Sequence, residues 1–389
     1  MAGVQTAVSL REEGWRGPVT LLGAEPHQPY DRPPLSKAVL LGTAPDSALD
    51  VDFAGLGVEL VLGRSALALD AAARVVETEA GPVPYDHLVL AVGAEPLPLP
   101  GAEEAEVHLL RTLDDAARLR PVLAARRSVV VVGAGWIGAE FATAAREAGC
   151  EVTVVEAAER PLAGALPAET TEPMTRWYAD AGVRLLTGRR VTRVTRDAVH
   201  LADGEEVPAD AVVVGVGARP ATGWLAGSGV ELAADRSVRA DAHLRTSVPG
   251  VYAVGDCASF PSARYGRRLL VHHWDNALQG PRTVAATLTQ GAAATPAYDP
   301  VPYFWSEQFG RFVQYAGDHR DTGEVVWRGD RAEAAWTVLW LREDVPVALL
   351  AVGRPRDLTQ GRRLIERGTR LDPLRAADPA VPLKTAVAG

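Results

Sequence analysis

The residues with the clearest chemistry form a glycine loop that follows a strand of valines. Val129–Val132 runs into Gly133-Ala134-Gly135-Trp136-Ile137-Gly138, and a helical sequence continues to Gly149. A dinucleotide fold needs the first glycine for a tight turn, the second for backbone approach to a pyrophosphate, and the third for close helix packing. The amide groups and dipole at such a helix start favour an anion. The sequence therefore predicts a dinucleotide site at Gly133, Gly135 and Gly138.

An acid at the end of the next strand predicts which dinucleotide binds. Glu156 follows the strand Val152–Val155 and lies 23 residues after Gly133. A carboxylate at this position accepts a hydrogen bond from a ribose hydroxyl and repels the extra phosphate of NADP. The pattern therefore favours NADH over NADPH.

An incomplete copy of the same pattern lies at the amino terminus. Gly3 to Gly14 and Gly138 to Gly149 have the same spacing, and Glu25 follows the strand after the first of these helices. Aligned on that spacing, Met1 falls opposite Trp136, so this copy lacks one strand and two leading glycines. We expect two nucleotide sites, one of them damaged, and either a start codon upstream of Met1 or a nonfunctional fragment.

Composition excludes several classes of function. A net charge of -9 and a pI near 5.5 give no general attraction to nucleic acid or to an anionic membrane. The sequence has no apolar run of membrane-spanning length and no export signal, which predicts a soluble, cytoplasmic protein. Cys150 and Cys257 are far apart and form no dithiol motif, and the scattered histidines predict no metal site.

The order of patterns predicts the architecture. Helix and strand patterns alternate through residue 225, and strands rich in Trp, Phe and Tyr begin near residue 300. Alternation of this kind is typical of parallel sheets with crossover helices. We predict an α/β protein with two doubly wound Rossmann-type domains, formed by residues 1–110 with 244–299 and by residues 111–243. Residues 300–389 are predicted to form a C-terminal α+β domain.

Two further segments carry charge where a ligand could bind. The proline-rich stretch 26–37 holds Arg32 and Lys37, which suit a clamp on an anion or a ring system, although an ordinary surface loop is the alternative. Asp256 follows the apolar strand Val251–Val254. It is suited to bond a sugar or ribitol hydroxyl, and a helix cap is the alternative.

Together these motifs resemble the flavin-dependent ferredoxin reductases of bacterial oxygenase systems. These reductases are a branch of the pyridine nucleotide-disulfide oxidoreductase superfamily that lacks the redox disulfide. The resemblance covers nearly the whole chain. The motifs that carry it are 30–37, 110–113, 133–140, 215–220, 255–256, 273–277, 304–306 and the tail 377–383.

The resemblance implies two cofactors and a role for each matching residue. NADH would contact the second unit at Ile137, Glu140, Glu156 and Gly217. Lys37 and Glu140 would meet near the flavin nitrogen that takes the hydride, where they would order the ring and moderate its charge. FAD would contact Ala2, Glu25, Arg32, Lys37, Ala66, Arg111, Asp256 and Trp274. Gly3 and Trp305 are further expected cofactor-binding residues.

The sequence departs from the family at two further positions. Ala24 stands where members commonly carry the first of two acids, which leaves Glu25 alone for the FAD ribose. Gly164 stands where an arginine is expected on the phosphate side of NAD, so weaker NADH binding is expected.

The implied activity is electron transfer from NADH through FAD to a small iron-sulfur ferredoxin that serves a downstream oxygenase. Two alternatives remain on the same scaffold: an NADH oxidase or rubredoxin reductase, and a non-catalytic truncated flavoprotein remnant. A group of arginines is expected to steer an acidic ferredoxin to the flavin edge, with a solvated loop as the alternative. These arginines are Arg264, Arg267, Arg268 and Arg311.

Overall fold

A computed structural model describes residues 1–100, 102, 107–320 and 322–388. The chain forms two compact units. Unit 1 comprises Met1–Asp31, Ala48–Glu95 and Arg219–Tyr303, and unit 2 comprises Arg32–Ser47, Pro96–Ala218 and Phe304–Gly389. The predicted segments 1–110 and 300–389 include residues 101, 103–106, 321 and 389, which lie outside the described residues. The division into three domains stays a prediction.

Unit 1 contains two parallel strand pairs and two helices that pack together. With strands and helices numbered in chain order, the helices are α1 (Ala2–Glu12) and α5 (Trp274–Gln290). The parallel pairs are β1 (Val19–Leu22) with β2 (Val58–Val61), and β6 (Leu88–Leu90) with β17 (Val251–Ala253). The expected strand before Met1 stays a prediction.

Smaller sheets complete unit 1. An antiparallel sheet is formed by β3 (Ala66–Asp70), β4 (Val75–Thr78) and β5 (Val83–Pro84). A second small sheet is formed by β16 (Val238–Arg239), β18 (Ala258–Ser262) and β19 (Arg267–Leu270). Two short strands, β7 (Ala94–Pro96) and β15 (Ala218–Pro220), lie where the chain passes between the units.

The first half of unit 2 is a parallel sheet with helices. The strand order is β10 (Arg184–Leu186), β9 (Glu151–Val155), β8 (Ser128–Val132) and β14 (Ala211–Val214). Val129–Val132 are buried because both faces of β8 are covered: Val129 and Val131 pack in one hydrophobic cluster, and Val130 and Val132 pack in another. The helices are α2 (Leu113–Ala124), α3 (Trp136–Glu147) and α4 (Ala168–Asp180). An antiparallel meander follows, with β11 (Val191–Val194), β12 (Ala198–Leu201) and β13 (Glu206–Pro208).

The second half of unit 2 is a five-stranded sheet covered by a helix. The strand order is β20 (Tyr303–Gln308), β21 (Arg311–Gly317), β24 (Val345–Val352), β23 (Trp336–Arg342) and β22 (Glu324–Arg328). Helix α6 (Pro355–Arg367) approaches this sheet closely, since a Cβ at Gly361 would lie 2.8 Å from Cδ1 of Leu349. The short helix α7 (Pro373–Ala377) follows.

The predicted fold class is confirmed: parallel α/β units are followed by a C-terminal α+β sheet and helix. No helix among the described residues is both long and apolar enough to cross a bilayer.

Candidate active site

The glycine turn between β8 and α3 leaves no room for side chains at two of its three glycines. Gly133 has a φ of 104°, and a Cβ at Gly133 would lie 2.4 Å from the carbonyl oxygen of Gly215. A Cβ at Gly138 would lie 2.0 Å from the carbonyl oxygen of Gly133. At Gly135 the nearest atom is 4.0 Å away, which leaves space for a ligand to approach the backbone. The turn therefore fits a pyrophosphate at the start of α3.

Glu156 is held by the same turn. Its Oε2 accepts the backbone N–H of Ala134 at 2.6 Å, and its Oε1 accepts the N–H of Ala158 at 2.8 Å. An ionised carboxylate has about four lone-pair sites, so a ribose hydroxyl can still donate to it. The structure thus fixes Glu156 beside the turn; its part in choosing NADH stays a prediction.

Apolar side chains are exposed next to the glycine turn. Ile137 in the first turn of α3 is 45% exposed, and Val216, which adjoins the Gly215 carbonyl at the turn, is 38% exposed. Gly217 has a φ of 122° and follows directly. Exposed apolar surface beside a turn for phosphate suits the sugar and ring of a dinucleotide, which have both polar and apolar faces.

Lys37 and Glu140 form an ion pair in unit 2. The Nζ of Lys37 lies 2.7 Å from Oε2 of Glu140, and the two side chains are 21% and 7% exposed. Glu140 belongs to α3, and Lys37 follows a short 3-10 helix, Pro33–Ser36. Burying a carboxylate without a partner is costly. The ion pair with Lys37 therefore explains how Glu140 can be buried inside unit 2. The catalytic role of these two residues stays a prediction.

Two serines complete the environment of Glu140. Ser36 donates to Oε2 of Glu140 at 2.6 Å, and Ser306 of β20 donates to Oε1 at 2.9 Å. Neither serine was predicted from the sequence to have a role. The signal for Ser36 was its position before Lys37, and the signal for Ser306 was the motif at 304–306.

Arg32 and Arg111 are neighbours in unit 2. The guanidinium of Arg32 donates to the carbonyl oxygen of Arg111, and the N–H of Arg111 donates to Oδ2 of Asp115 at 3.0 Å. Asp115 also forms a capping box with Thr112 at the start of α2. The proline-rich segment and this helix start are therefore joined by hydrogen bonds, which holds two predicted cofactor residues together.

In unit 1, the start of α1 and the turn that contains Asp256 lie close together. A Cβ at Gly255, whose φ is 70°, would lie 3.1 Å from the Cβ of Ala2. Small residues at both positions allow this approach and bring Asp256 near the α1 start. A Cβ at Gly3 would lie 2.9 Å from Cδ1 of Leu21. The absence of a side chain at Gly3 therefore lets α1 pack closely on β1, just as Gly138 lets α3 pack closely on the strand before it. A helix start with an acid beside it suits the phosphate and sugar of a nucleotide.

Glu25 and Trp274 are each held by a neighbour in unit 1. The hydroxyl of Tyr30 donates to Oε2 of Glu25 at 2.5 Å. The Nε1 of Trp274, the first residue of α5, donates to Oδ1 of Asp31 at 2.7 Å. The segment around 30–31 therefore orients two predicted FAD residues.

The residue before Trp274 has an altered acidity. Burial of the ring lowers the pKa of His273 to about 4; the Asp256 carboxylate opposes this effect and His272 adds to it. His273 is therefore neutral at physiological pH, so it contributes no charge where Asp256 and Trp274 are placed.

The remaining predicted residues have less informative surroundings. Ala66 is half-buried at the start of β3, and Trp305 is half-buried in β20. Within unit 1 the structure brings together the neighbourhoods of Ala2 and Asp256. Within unit 2 it brings together Lys37 and Glu140, Arg32 and Arg111, and the glycine turn and Glu156.

Arg268 and Arg311, which were expected at a docking surface, have structural partners. Arg268 donates to the carbonyl oxygen of Ala240 at 2.6 Å and also to that of Ser259. The guanidinium of Arg311 lies 5.0 Å from the ring centre of Trp177. These contacts within the chain give Arg268 and Arg311 a structural role that requires no partner protein. The steering of a ferredoxin by the four arginines stays a prediction.

Among the described residues, no group of three or more His, Cys, Asp or Glu side chains could hold a metal ion. The fold and the glycine turn define a dinucleotide-dependent oxidoreductase. The chain belongs to the pyridine nucleotide-disulphide oxidoreductase family, whose model matches residues 1–284. Residues 303–387 match the reductase C-terminal family.

Two reductases are similar to this chain over nearly their full length. The chain is 36% identical to rhodocoxin reductase of Rhodococcus erythropolis, over 100% of this chain and 92% of that protein. It is 36% identical to the ferredoxin--NAD(+) reductase component of the p-cumate 2,3-dioxygenase system of Pseudomonas putida, over 98% and 95% of the two chains.

A solved structure of a reductase complex has the same fold. The covalent putidaredoxin reductase–putidaredoxin complex matches with a TM-score of 0.92 and 32% identity, over 98% of this chain and 95% of that chain. The family, the fold class, the oxidoreductase class and the use of FAD and NAD(H) are thereby confirmed.

Proposed function

We propose that the chain is an NADH-dependent ferredoxin reductase that carries FAD and delivers electrons to a small iron-sulfur ferredoxin serving an oxygenase. The observation that carries the proposal is α3, which starts at the dinucleotide turn and holds Glu140 in its ion pair with Lys37. One helix therefore joins the proposed NADH site to the proposed site of hydride transfer. When bound, FAD accepts hydride and releases electrons singly.

The dinucleotide residues have separate tasks in this proposal. Amide groups at the start of α3 bind the pyrophosphate of NADH, and the Glu156 carboxylate accepts a hydrogen bond from a ribose hydroxyl. Ile137 and Gly217 provide the apolar surface and the open backbone beside them. Gly133, Gly135 and Gly138 shape the turn.

The proposed FAD residues include both charged groups and small residues. They are those implied by the family resemblance: Ala2, Glu25, Arg32, Lys37, Ala66, Arg111, Asp256 and Trp274. Gly3 and Trp305 are further proposed cofactor contacts. Arginine and lysine supply positive charge for phosphate, and acids accept sugar hydroxyls, which is the polarity that this cofactor requires.

Lys37 and Glu140 are the proposed catalytic pair. The Lys37 ammonium would lower the cost of the negative charge that hydride transfer places on a bound flavin ring. Glu140 holds the ammonium in one place through their ion pair. No side-chain nucleophile is needed, because the protein binds and orients while the cofactor supplies the chemistry.

The electron acceptor is proposed from the relatives. They include the ferredoxin--NAD(+) reductase component of a dioxygenase system and a reductase whose structure was solved in a covalent complex with putidaredoxin. The cytoplasm is the proposed location, because NADH is produced and consumed there.

A panel of acceptors tests the proposal. The purified chain is supplied with FAD and NADH under nitrogen and offered a small iron-sulfur ferredoxin, a rubredoxin or, in a separate aerobic reaction, oxygen. We expect the ferredoxin to be reduced with the highest kcat/KM, measured from its visible absorbance. Preference for oxygen or rubredoxin would support the alternative enzymes, and no turnover with any acceptor would contradict the proposal.

A further inference from the structure

In unit 2, β20 and the residues after it contact α3 at successive positions along both elements. The rings of Phe304 and Trp136 have centroids 4.6 Å apart, and Ser306 donates to Glu140. Further along, the N–H of Phe309 donates to Oγ1 of Thr143 at 2.9 Å.

The spacing follows from the periods of the two elements. Positions 136, 140 and 143 lie on one face of a helix, because residues four and three apart are neighbours there. Positions 304 and 306 lie on one face of a strand, because side chains alternate. A strand of the C-terminal sheet is therefore aligned with the helix that starts at the dinucleotide turn.

Ser306 provides the side-chain hydrogen bond to Glu140 in this alignment. It is 1% exposed, and Nε2 of Gln308 donates to its Oγ at 3.2 Å. The Gln308 donor directs the Ser306 hydroxyl proton away from itself and toward Glu140. Ser306 and Gln308 share a face of β20, so the strand fixes both groups.

The oxygens of Glu140 have different partners. Ser306 donates to Oε1, whereas Lys37 and Ser36 both donate to Oε2. A carboxylate held at one oxygen cannot rotate freely, so the Ser306 bond determines where Oε2 faces Lys37. Loss of that bond would leave a buried oxygen without its hydroxyl donor and allow the group to turn.

We propose that Ser306 is a positioning residue, which acts through Glu140 to set the place of the Lys37 ammonium during hydride transfer. This inference rests on the proposed function, because the Lys37–Glu140 pair matters for rate only if hydride is transferred. It assigns the C-terminal sheet a part in the reaction with NADH, in addition to any part in binding a ferredoxin.

The first test measures flavin reduction by NADH in a single turnover. Ser306→Ala is expected to slow reduction about tenfold at saturating NADH, with little change in the apparent Kd for NADH. Ser306→Thr retains the hydroxyl and is expected to restore most of the rate. Ser228→Ala removes another buried serine, whose hydroxyl donates to the carbonyl oxygen of Leu225, and is the matched control with wild-type rate.

A double variant separates positioning from a general structural effect. If Ser306 acts through Lys37, Ser306→Ala should slow the reaction much less in a Lys37→Met background than in the wild type. Equal slowing in both backgrounds would overturn the inference, as would a wild-type rate for Ser306→Ala.

The infrared spectrum provides a readout that does not depend on turnover. The carboxylate band of Glu140 is obtained as the difference between the wild-type protein and Glu140→Gln. We expect Ser306→Ala to shift this band and Ser306→Thr to leave it in place; an unshifted band in Ser306→Ala overturns the inference. If Ser306→Ala does not fold, Ser306→Cys, a weaker donor, is expected to give an intermediate shift. A shifted band in a chain that NADH does not reduce would refute the proposed function and leave the contact established.

Discussion

At the scale of single residues, the hydrogen bonds of Glu156 predict the choice of nucleotide. Replacing Glu156 with Ala removes the carboxylate that would repel an added phosphate, so the ratio of kcat/KM for NADH to that for NADPH should fall about tenfold or more. Glu151→Gln, at the other end of β9, is the matched control and should leave the ratio unchanged. An unchanged ratio in Glu156→Ala would refute the assignment.

His273 predicts a dependence of stability on pH. Its pKa is lowered to about 4 in the folded protein, with burial as the main cause, and is about 6.5 in an unfolded chain. Between these values the unfolded state binds more protons, so stability is complete above pH 6.5 and falls as the pH drops towards 4.

Replacing His273 with Asn should flatten that part of the stability curve, by about 2 to 3 kcal/mol between pH 6.5 and 4. The measurement is urea unfolding at a series of pH values. His87→Gln removes an exposed histidine and should keep the wild-type slope. A slope in His273→Asn equal to that of the wild type would contradict the prediction.

At the scale of elements, the glycine turn predicts strongly unequal effects of adding one methyl group. Gly138→Ala places a Cβ on the Gly133 carbonyl, so we expect a loss of about 1 to 3 kcal/mol in unfolding free energy and weaker NADH binding. Gly164→Ala has nothing within 4 Å of the added atom and should be nearly neutral. Equal effects of the two substitutions on Tm and on the Kd for NADH would contradict the packing argument.

The carboxy-terminal segment is held to the sheet by one buried arginine. Arg328 is 2% exposed; its Nε lies 2.9 Å from Oδ2 of Asp357, and its other nitrogens donate to backbone carbonyl oxygens. These carbonyls belong to Ala376, Asp378, Pro379 and Val381. Asp357 also accepts from Arg354 and Thr337, so the charge pair lies within a network of hydrogen bonds.

Arg328→Met should therefore lower the unfolding free energy by about 3 to 5 kcal/mol, because it leaves the Asp357 charge with fewer partners. Arg328→Lys should also be destabilising, since an ammonium cannot match the planar fork of donors. Urea unfolding and proteolysis of residues 373–388 measure the effect. Arg342→Lys, on the neighbouring strand, is the control, and wild-type stability of Arg328→Met would contradict the prediction.

What the sequence could predict depended on the distance over which a contact forms. The glycine turn is local, so the spacing of Gly133, Gly135 and Gly138 was sufficient to predict a dinucleotide unit. The pair Lys37 and Glu140 joins residues far apart in the chain and was predicted only from a family resemblance. The bond from Ser306 to Glu140 spans 166 positions, and no periodic pattern indicates such a contact. Arg328 was missed for the same reason, since a single arginine in a strand resembles a surface residue.

At the scale of the whole molecule, the chain combines two units. Unit 2 contains the dinucleotide turn, whose glycines are fixed by packing, and the first helix of unit 1 begins at Ala2. A C-terminal sheet contributes Ser306 to the Lys37–Glu140 pair through β20. In this account the C-terminal sheet serves the reaction with NADH as well as the stability of its own core. FAD and NAD(H) are the cofactors of the family, and we propose that the site residues of this chain set their orientation and charge.

The most direct test of the central claim is a stopped-flow experiment under nitrogen with the FAD-loaded protein. NADH is mixed first, and an iron-sulfur ferredoxin is mixed once the flavin absorbance has fallen. We predict that NADH bleaches the flavin within one turnover and that the ferredoxin restores its absorbance, with two ferredoxins reduced for each NADH because each accepts one electron. A flavin that NADH does not bleach, or a bleached flavin that the ferredoxin does not reoxidise, would contradict the account.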